Sequence, residues 1–200
     1  MKEILFATSN VGKVASLKRV FERNAVAIAI RQVDLTLIEP QADTAVEVSR
    51  VKARQAYEQL GQPVVVDDGS FHIEALSGFP GPYAKYMNDT IGVEGYLKVM
   101  KGIDNRRAYF LNCLVFVDAQ GVEHSFESSP YTGRIVEEVD DFDDPESWSI
   151  LFKLFMTDGY DKVIARMTPE ERSEADERLP HDAYTEFATW LKKEGYDATD

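Results

Sequence analysis

A chain of 200 residues, 44% hydrophobic and 28% charged, is long enough to bury a core and too apolar for disorder, so it describes one globular unit or two closely joined lobes. Its net charge of −13 argues against a nucleic-acid polymer as partner, because such binders need a basic stripe to displace counterions. No opening run joins positive charge to a long apolar segment and no apolar run reaches the length of a membrane span; the expected state is soluble and cytoplasmic, with no membrane partner.

Lys2 to Ala7 reads as a buried strand, and Gly12 to Asn24 as a helix whose apolar residues Val14, Leu17, Val20 and Phe21 form one buried stripe. Strand followed by helix is the α/β pattern. The joint, inside ILFATSNVGKVASLKRVF, carries Thr8, Ser9, Asn10 and Lys13. A strand entering a helix through a short polar turn aims backbone N–H groups and the positive end of the helix dipole at one point, which suits a phosphate. An ordinary helix cap beside a solvated lysine suits the same residues, and the Walker A spacing is absent.

AVAIAIRQV (25–33) reads as a second strand. Thr44 to Leu60 reads as a second helix, with Val48, Val51, Ala56 and Leu60 on one side and Gly61 as its stop. PVVVDDGSF (63–71) is a further buried strand that ends in two carboxylates and a glycine. ALSGFPGPY is turn-rich and leads into a helix through about Met100, closed by Gly102. Residues 106–117, 122–128 and 132–139 read as three strands joined by DAQG and SSPY, partly antiparallel, so the sheet should be mixed. EEVDDFDDPE places seven acids among ten residues, either a solvated loop or a metal cluster. Tyr184, Phe187, Ala188 and Leu191 mark the core face of a last helix, with Lys192 and Lys193 near its negative end and Gly195 after it. The lone Cys113 reads as a small buried hydrophobe, and His72 and His181 as structural or surface residues.

The chemistry concentrates in VVVDDGSFHIEALSGFPGPYAKY. Adjacent acids at the carboxyl end of a buried strand sit where open α/β sheets place active sites, and strand alternation sends their side chains to opposite sides. Asp68 is expected to hold Mg²⁺ or a metal-bound water, and Asp67 to support the loop or complete the metal site. A DDG triplet is also a common turn, and the triplet alone does not choose.

TSNVGK after the first strand, a glutamate and then EVSRVKA around the second helix, VDDGSF and LSGFPGPYAKY together resemble the inosine triphosphate pyrophosphatase family, which hydrolyses non-canonical purine nucleoside triphosphates to monophosphate and pyrophosphate. The similarity runs in order from Met1 to about Gly102 and continues more weakly through FLNCLVFVD, TGRIVEEV, DGYDKVIARMTPEER and the last helix. It implies a single two-lobed domain over residues 1–200, an elongated mixed β-sheet with two α/β lobes, and a nucleotide in the cleft between them. It further implies a homodimer and a Mg²⁺ cofactor, with Mn²⁺ as an alternative. By position it makes Thr8, Ser9, Asn10 and Lys13 a phosphate-binding turn, and Lys52 the helix lysine that reaches the phosphates. Glu39, in LIEPQ, becomes the metal-binding glutamate after a one-residue shift, and Asp68 the aspartate essential for catalysis, with Lys13 assisting. Gly69 and Ser70 fall among the substrate-binding positions.

The departures lie downstream. The family grips its purine with a segment like F-G-[YW]-D-P-x-F before DGY, and the ungapped equivalent here is SILFKLF (149–155), with Phe152 in the place of the base-reading aspartate. A second register gives that role to FDDP (142–145). The family's later S-H-R triplet falls on Asp176 to Arg178, so only Arg178 is retained. Trp148, Phe152 and Phe155 could stack on a base or belong to a core or interface. Base recognition is therefore expected to be altered or relaxed. Two other classes stay open: a catalytically weak nucleotide-binding paralogue, and a hydrolase of another phosphorylated small molecule.

Overall fold

The computed structural model describes residues 2–143, 147 and 149–196. It contains, among the described residues, five α-helices and strands paired both parallel and antiparallel, a mixed α/β fold with a mixed sheet, as the sequence led us to expect. The chain divides into two compact units, one formed by residues 1–68, 112–128 and 181–200, the other by 69–111 and 129–180. Among the described residues no helix is long and apolar enough to cross a membrane.

In the first unit, β1 (Lys2–Ala7) runs into α1 (Val11–Arg23), then β2 (Ile28–Val33), α2 (Ala45–Leu60) and the first half of β3 (Val64–Ile73). β1 lies parallel to both β2 and β3, pairing Ile4 with Ile30 and Phe6 with Val65. The second half of β5 (Arg107–Val117) pairs antiparallel with β6 (Glu123–Glu127), and α5 (Ala183–Lys193) completes the unit. Alternation sorts the sheet's apolar residues onto two faces. Ile4, Phe6, Val65, Leu114 and Phe116 meet the stripes of α1 (Val14, Leu17, Phe21) and α5 (Phe187, Ala188, Leu191). Leu5, Ala7, Val64, Val66, Cys113 and Val115 meet Ala45, Ala53 and Ala56 of α2. Both faces being covered explains why VVV at 64–66 is uniformly apolar rather than alternating. Each fully buried Leu or Phe here contributes about 1.5–3 kcal/mol.

The α2 ends are sharply specified. Thr44 accepts from the Glu47 amide while the Glu47 side chain accepts from the Thr44 amide, a reciprocal cap worth about 1 kcal/mol. Gly61, at φ 62°, closes the helix as expected. The strand expected from Ala25 begins only at Ile28, because residues 24–26 close α1 instead: Ala25 takes φ 51° and the Val26 amide donates back to the Phe21 carbonyl at 2.9 Å.

The second unit holds the other half of β3, paired antiparallel with β4 (Pro80–Gly81), and the other half of β5, paired antiparallel with β7 (Tyr131–Ile135). β7 pairs in turn with β8 (Phe155–Thr157). Its helices are α3 (Ala84–Val99) and α4 (Pro169–Glu177), around a core that includes Phe71, Tyr96, Phe110, Leu154 and Phe155. α3 is broken at Gly92, whose φ 61° and ψ −173° only glycine adopts without strain. β7 stops four residues short of the expected 139, where Glu137, Glu138, Asp140 and Asp141 replace the alternating apolar pattern a strand needs. Neither β8 nor α4 was expected. β8 has three residues, too few to show a period.

Candidate functional site

The strand end, or turn, expected at Asp67–Gly69 is not there: β3 runs on through both acids and Gly69 to Ile73, so the site grows where the carboxyl end of β1 and the turn after it lie beside the middle of β3. Asn10 caps α1, its Oδ1 accepting from the Gly12 amide at 3.0 Å and the Lys13 amide at 3.3 Å. The Thr8 hydroxyl accepts from the Asn10 amide at 3.1 Å, and Ser9 is exposed. The helix-cap role of these residues is thus realised, and Asn10 occupies two of the amides that the helix N-terminus offers.

Strand alternation parts the two acids. Asp68 continues the face of Val64 and Val66 towards α2; Asp67 continues the face of Val65 towards α1 and α5. The expectation that they diverge is met. On the α2 side the Lys52 ammonium donates to Asp68 Oδ2 at 2.9 Å and to Glu39 Oε1 at 2.8 Å. Glu39 comes from the loop before α2, and Lys52 from two turns inside that helix, which Ser49 docks on β5 by donating to the Cys113 carbonyl at 3.3 Å. On the other side Lys13 Nζ lies 3.5 Å from Asp67 Oδ2 and donates to the Asp67 carbonyl at 3.1 Å. The Tyr184 hydroxyl of α5 donates to the same Oδ2, and the buried Oδ1 has no hydrogen-bond partner among the described residues.

Solvent access separates the two acids. The Asp67 side chain is 3% exposed, that of Asp68 is 20%, and that of Glu39 is 50%. Burial raises the Asp68 carboxyl, against the pull of Lys52 and Lys13. Burial lowers the Lys52 ammonium, but Asp68 and Glu39 outweigh it and the net direction is up, so Lys52 is held charged. Three carboxylates here meet two lysines, a local excess of negative charge. Hard carboxylate oxygens with partial solvent access suit Mg²⁺, which takes one or two carboxylates and completes its shell with water and substrate phosphates. Glu39 and Asp68, already sharing a cation in Lys52, fit that donor set. Asp67 is not brought to them, because its side chain leaves the opposite face of the strand. Among the described residues no group of three or more such ligands converges, the described part of the acidic stretch at 137–146 included.

The remaining expected residues lie in the second unit. Ser70 is buried and its hydroxyl engages His72 Nε2 at 2.9 Å, while Gly69 follows Asp68 along β3. Arg178 caps the end of α4 with its guanidinium 5.3 Å over the Tyr160 ring. Phe152 is 5% exposed and Phe155 fully buried, so both are core residues and neither is a stacking platform. Trp148, and residues 144–145 of the alternative FDDP register, lie outside the described residues; Phe142 is exposed, 4.4 Å beneath the Arg166 guanidinium. His72 stacks on Tyr109 at 4.8 Å and His181 pairs with Glu186 at 2.7 Å, both structural or surface as expected. Burial pushes the Cys113 thiol up to about 12, which makes it inert as a nucleophile. Sequence reasoning missed Tyr184, which it placed on a core stripe. The signal was the tyrosine itself, since a hydroxyl at a core-facing position requires a polar partner.

These elements define an α/β protein with a charged site around the two acids of β3. The chain belongs to the Ham1 family, which matches residues 4–190. It is 37% identical over 190 residues to a dITP/XTP pyrophosphatase of Methanopyrus kandleri, covering 95% of this chain and 96% of that protein. It is 32% identical over 176 residues to inosine triphosphate pyrophosphatase 2 of Trypanosoma cruzi, covering 88% and 86%. A HAM1 protein structure from Coxiella burnetii matches with a TM-score of 0.77 at 21% identity, over 96% of this chain and all of that one, a likeness of fold. The family resemblance read in the sequence is borne out.

Proposed function

We propose that this protein is a hydrolase that cleaves non-canonical purine nucleoside triphosphates to monophosphate and pyrophosphate, with Mg²⁺ as cofactor and relaxed recognition of the base. The observation that carries this reading is the Lys52 ammonium bridging Glu39 and Asp68 at 2.8 and 2.9 Å, beside a lysine-bearing helix N-terminus, in a chain of the Ham1 family. Relatives named for dITP and XTP supply the substrate class. Glu39 and Asp68 would hold the metal, which when bound screens the phosphate charge and polarises the attacked phosphorus.

In this reading Lys52 turns part of its ammonium to a phosphate oxygen, and Lys13 neutralises charge on the departing pyrophosphate. Asp68, its Oδ2 held by Lys52, orients the attacking water and takes its proton at Oδ1. The water oxygen bonds to the α-phosphorus, the bond from that phosphorus to the bridging oxygen breaks, and its electron pair leaves with pyrophosphate. Catalysis is then mostly positioning and electrostatics. The net charge of −13 favours free nucleotides over a polymer, and the same reading has the protein act in the cytoplasm as a homodimer.

The test is product identity. With Mg²⁺ and a panel of nucleoside triphosphates, at least one should release the monophosphate and pyrophosphate, and EDTA should abolish the release. Nucleoside diphosphate and orthophosphate as products would sink the proposal.

A further inference from the structure

Asp67 is a buried carboxylate contested by two donors. The Tyr184 hydroxyl donates to its Oδ2, whereas Lys13 Nζ stands 3.5 Å from that oxygen, beyond the roughly 2.7–2.9 Å of a charge-assisted hydrogen bond. The ammonium instead donates to the Asp67 backbone carbonyl at 3.1 Å. Oδ1 stays without a partner among the described residues although the side chain is 3% exposed. An unsatisfied buried carboxylate oxygen is costly, so a carboxylate free to rotate would close on the nearest cation, Lys13.

We infer that Tyr184 is a positioning residue for the phosphate site: its hydroxyl pins the Asp67 carboxylate and keeps the existing Lys13–Asp67 pair from tightening, so that a ligand's phosphate can draw the ammonium over. The inference rests on the reading of Lys13 as a phosphate ligand. It ties the last helix to the first: α5 sets, through one hydroxyl and one carboxylate, how tightly a residue of α1 is bound within its own protein. Phenylalanine at 184 would pack equally well and would lack this control.

Binding of inorganic tripolyphosphate with Mg²⁺, followed by calorimetry, reads the effect without requiring turnover. Tyr184→Phe should weaken binding about tenfold, the scale of one hydrogen bond gained by the competing ion pair, and should raise KM for a substrate while kcat changes less than about twofold. Asp67→Asn cannot form that ion pair, so in its background Tyr184→Phe should change affinity by less than about twofold. Lys13→Ala gives a second cycle: with no ammonium to capture, Tyr184→Phe should again be nearly silent. A merely structural tyrosine would weaken binding by the same factor in all three backgrounds, and that result overturns the inference, as does unchanged affinity of Tyr184→Phe or no tripolyphosphate binding by the unaltered protein. Should the binding pattern hold while no nucleotide yields pyrophosphate, the activity falls and the positioning role stands; turnover with a flat binding series gives the reverse.

Discussion

Asp67 and Asp68 are neighbours of identical chemistry, and strand alternation alone gives them different surroundings: Lys13 and Tyr184 for the first, Lys52 and Glu39 for the second. Of the two, Asp68 keeps contact with solvent and shares a cation with a second carboxylate, so the proposed reading gives it the water and the metal. Asp68→Asn should therefore lower kcat by at least about a hundredfold, the scale of removing one well-placed general base, with the circular dichroism spectrum unchanged. A near-normal rate in the folded variant would transfer the role to another group. Asp67→Asn, by contrast, should act on phosphate affinity before it acts on turnover.

Asp118 shows how a single carboxylate organises an element. It sits at the turn from β5 to β6 and accepts from the Gln120 amide, the Val122 amide and His124 Nε2, each at 2.9 Å. Burial raises its carboxyl, but His124 and the two amides outweigh that and hold it below the usual carboxylate range. A depressed folded pKa means that the stabilisation is complete above the unfolded value of about 3.9 and is lost as pH falls through the folded one. Asp118→Asn should thus lower Tm by about 2–4 °C at pH 7, and the gap should narrow on acidification below about pH 4 as the unaltered protein loses the same contribution. A gap that widens in acid would refute this. The same scale shows what the chain makes legible. α1 and α2 announce themselves by stripes and end signals, and the DAQG turn by its glycine, because those are local properties. α4 carries a local signal too, which went unread: Thr168 and Glu171 form a capping box with Pro169 at the first helical position. β8 is set by pairing with β7, which no local pattern reports, whereas the acids that end β7 early stand in the sequence itself.

At the scale of the molecule, the residues proposed to handle phosphate and metal were legible because each lies in a short local motif, whereas the bridge that Lys52 makes between Glu39 and Asp68 is known only from the structure. Tyr184 was not legible, since its partner lies 117 residues away in sequence. What remains is the base. Selective recognition needs polar groups matched to a base edge, because an unmatched buried donor or acceptor is costly, whereas apolar contact distinguishes flat rings poorly. In the ungapped register the family's base-reading aspartate is Phe152, and that ring is buried against Phe110 at 6.5 Å, with the Arg172 guanidinium 5.7 Å over its face. It belongs to the core and offers a base neither a hydrogen bond nor a stacking face. Asp176 and Glu177, which replace serine and histidine of the family pattern, are acceptors where that pattern offers a hydroxyl and an imidazole. Discrimination between ITP or XTP and the common triphosphates should then be less than about a hundredfold, the range reached without a dedicated polar match. Steady-state kcat/KM for ITP, XTP, GTP, ATP and dUTP measures it directly. A preference for ITP or XTP above about a thousandfold would mean that other residues rebuild a polar pocket, and relaxed recognition would be abandoned while the phosphate chemistry remained.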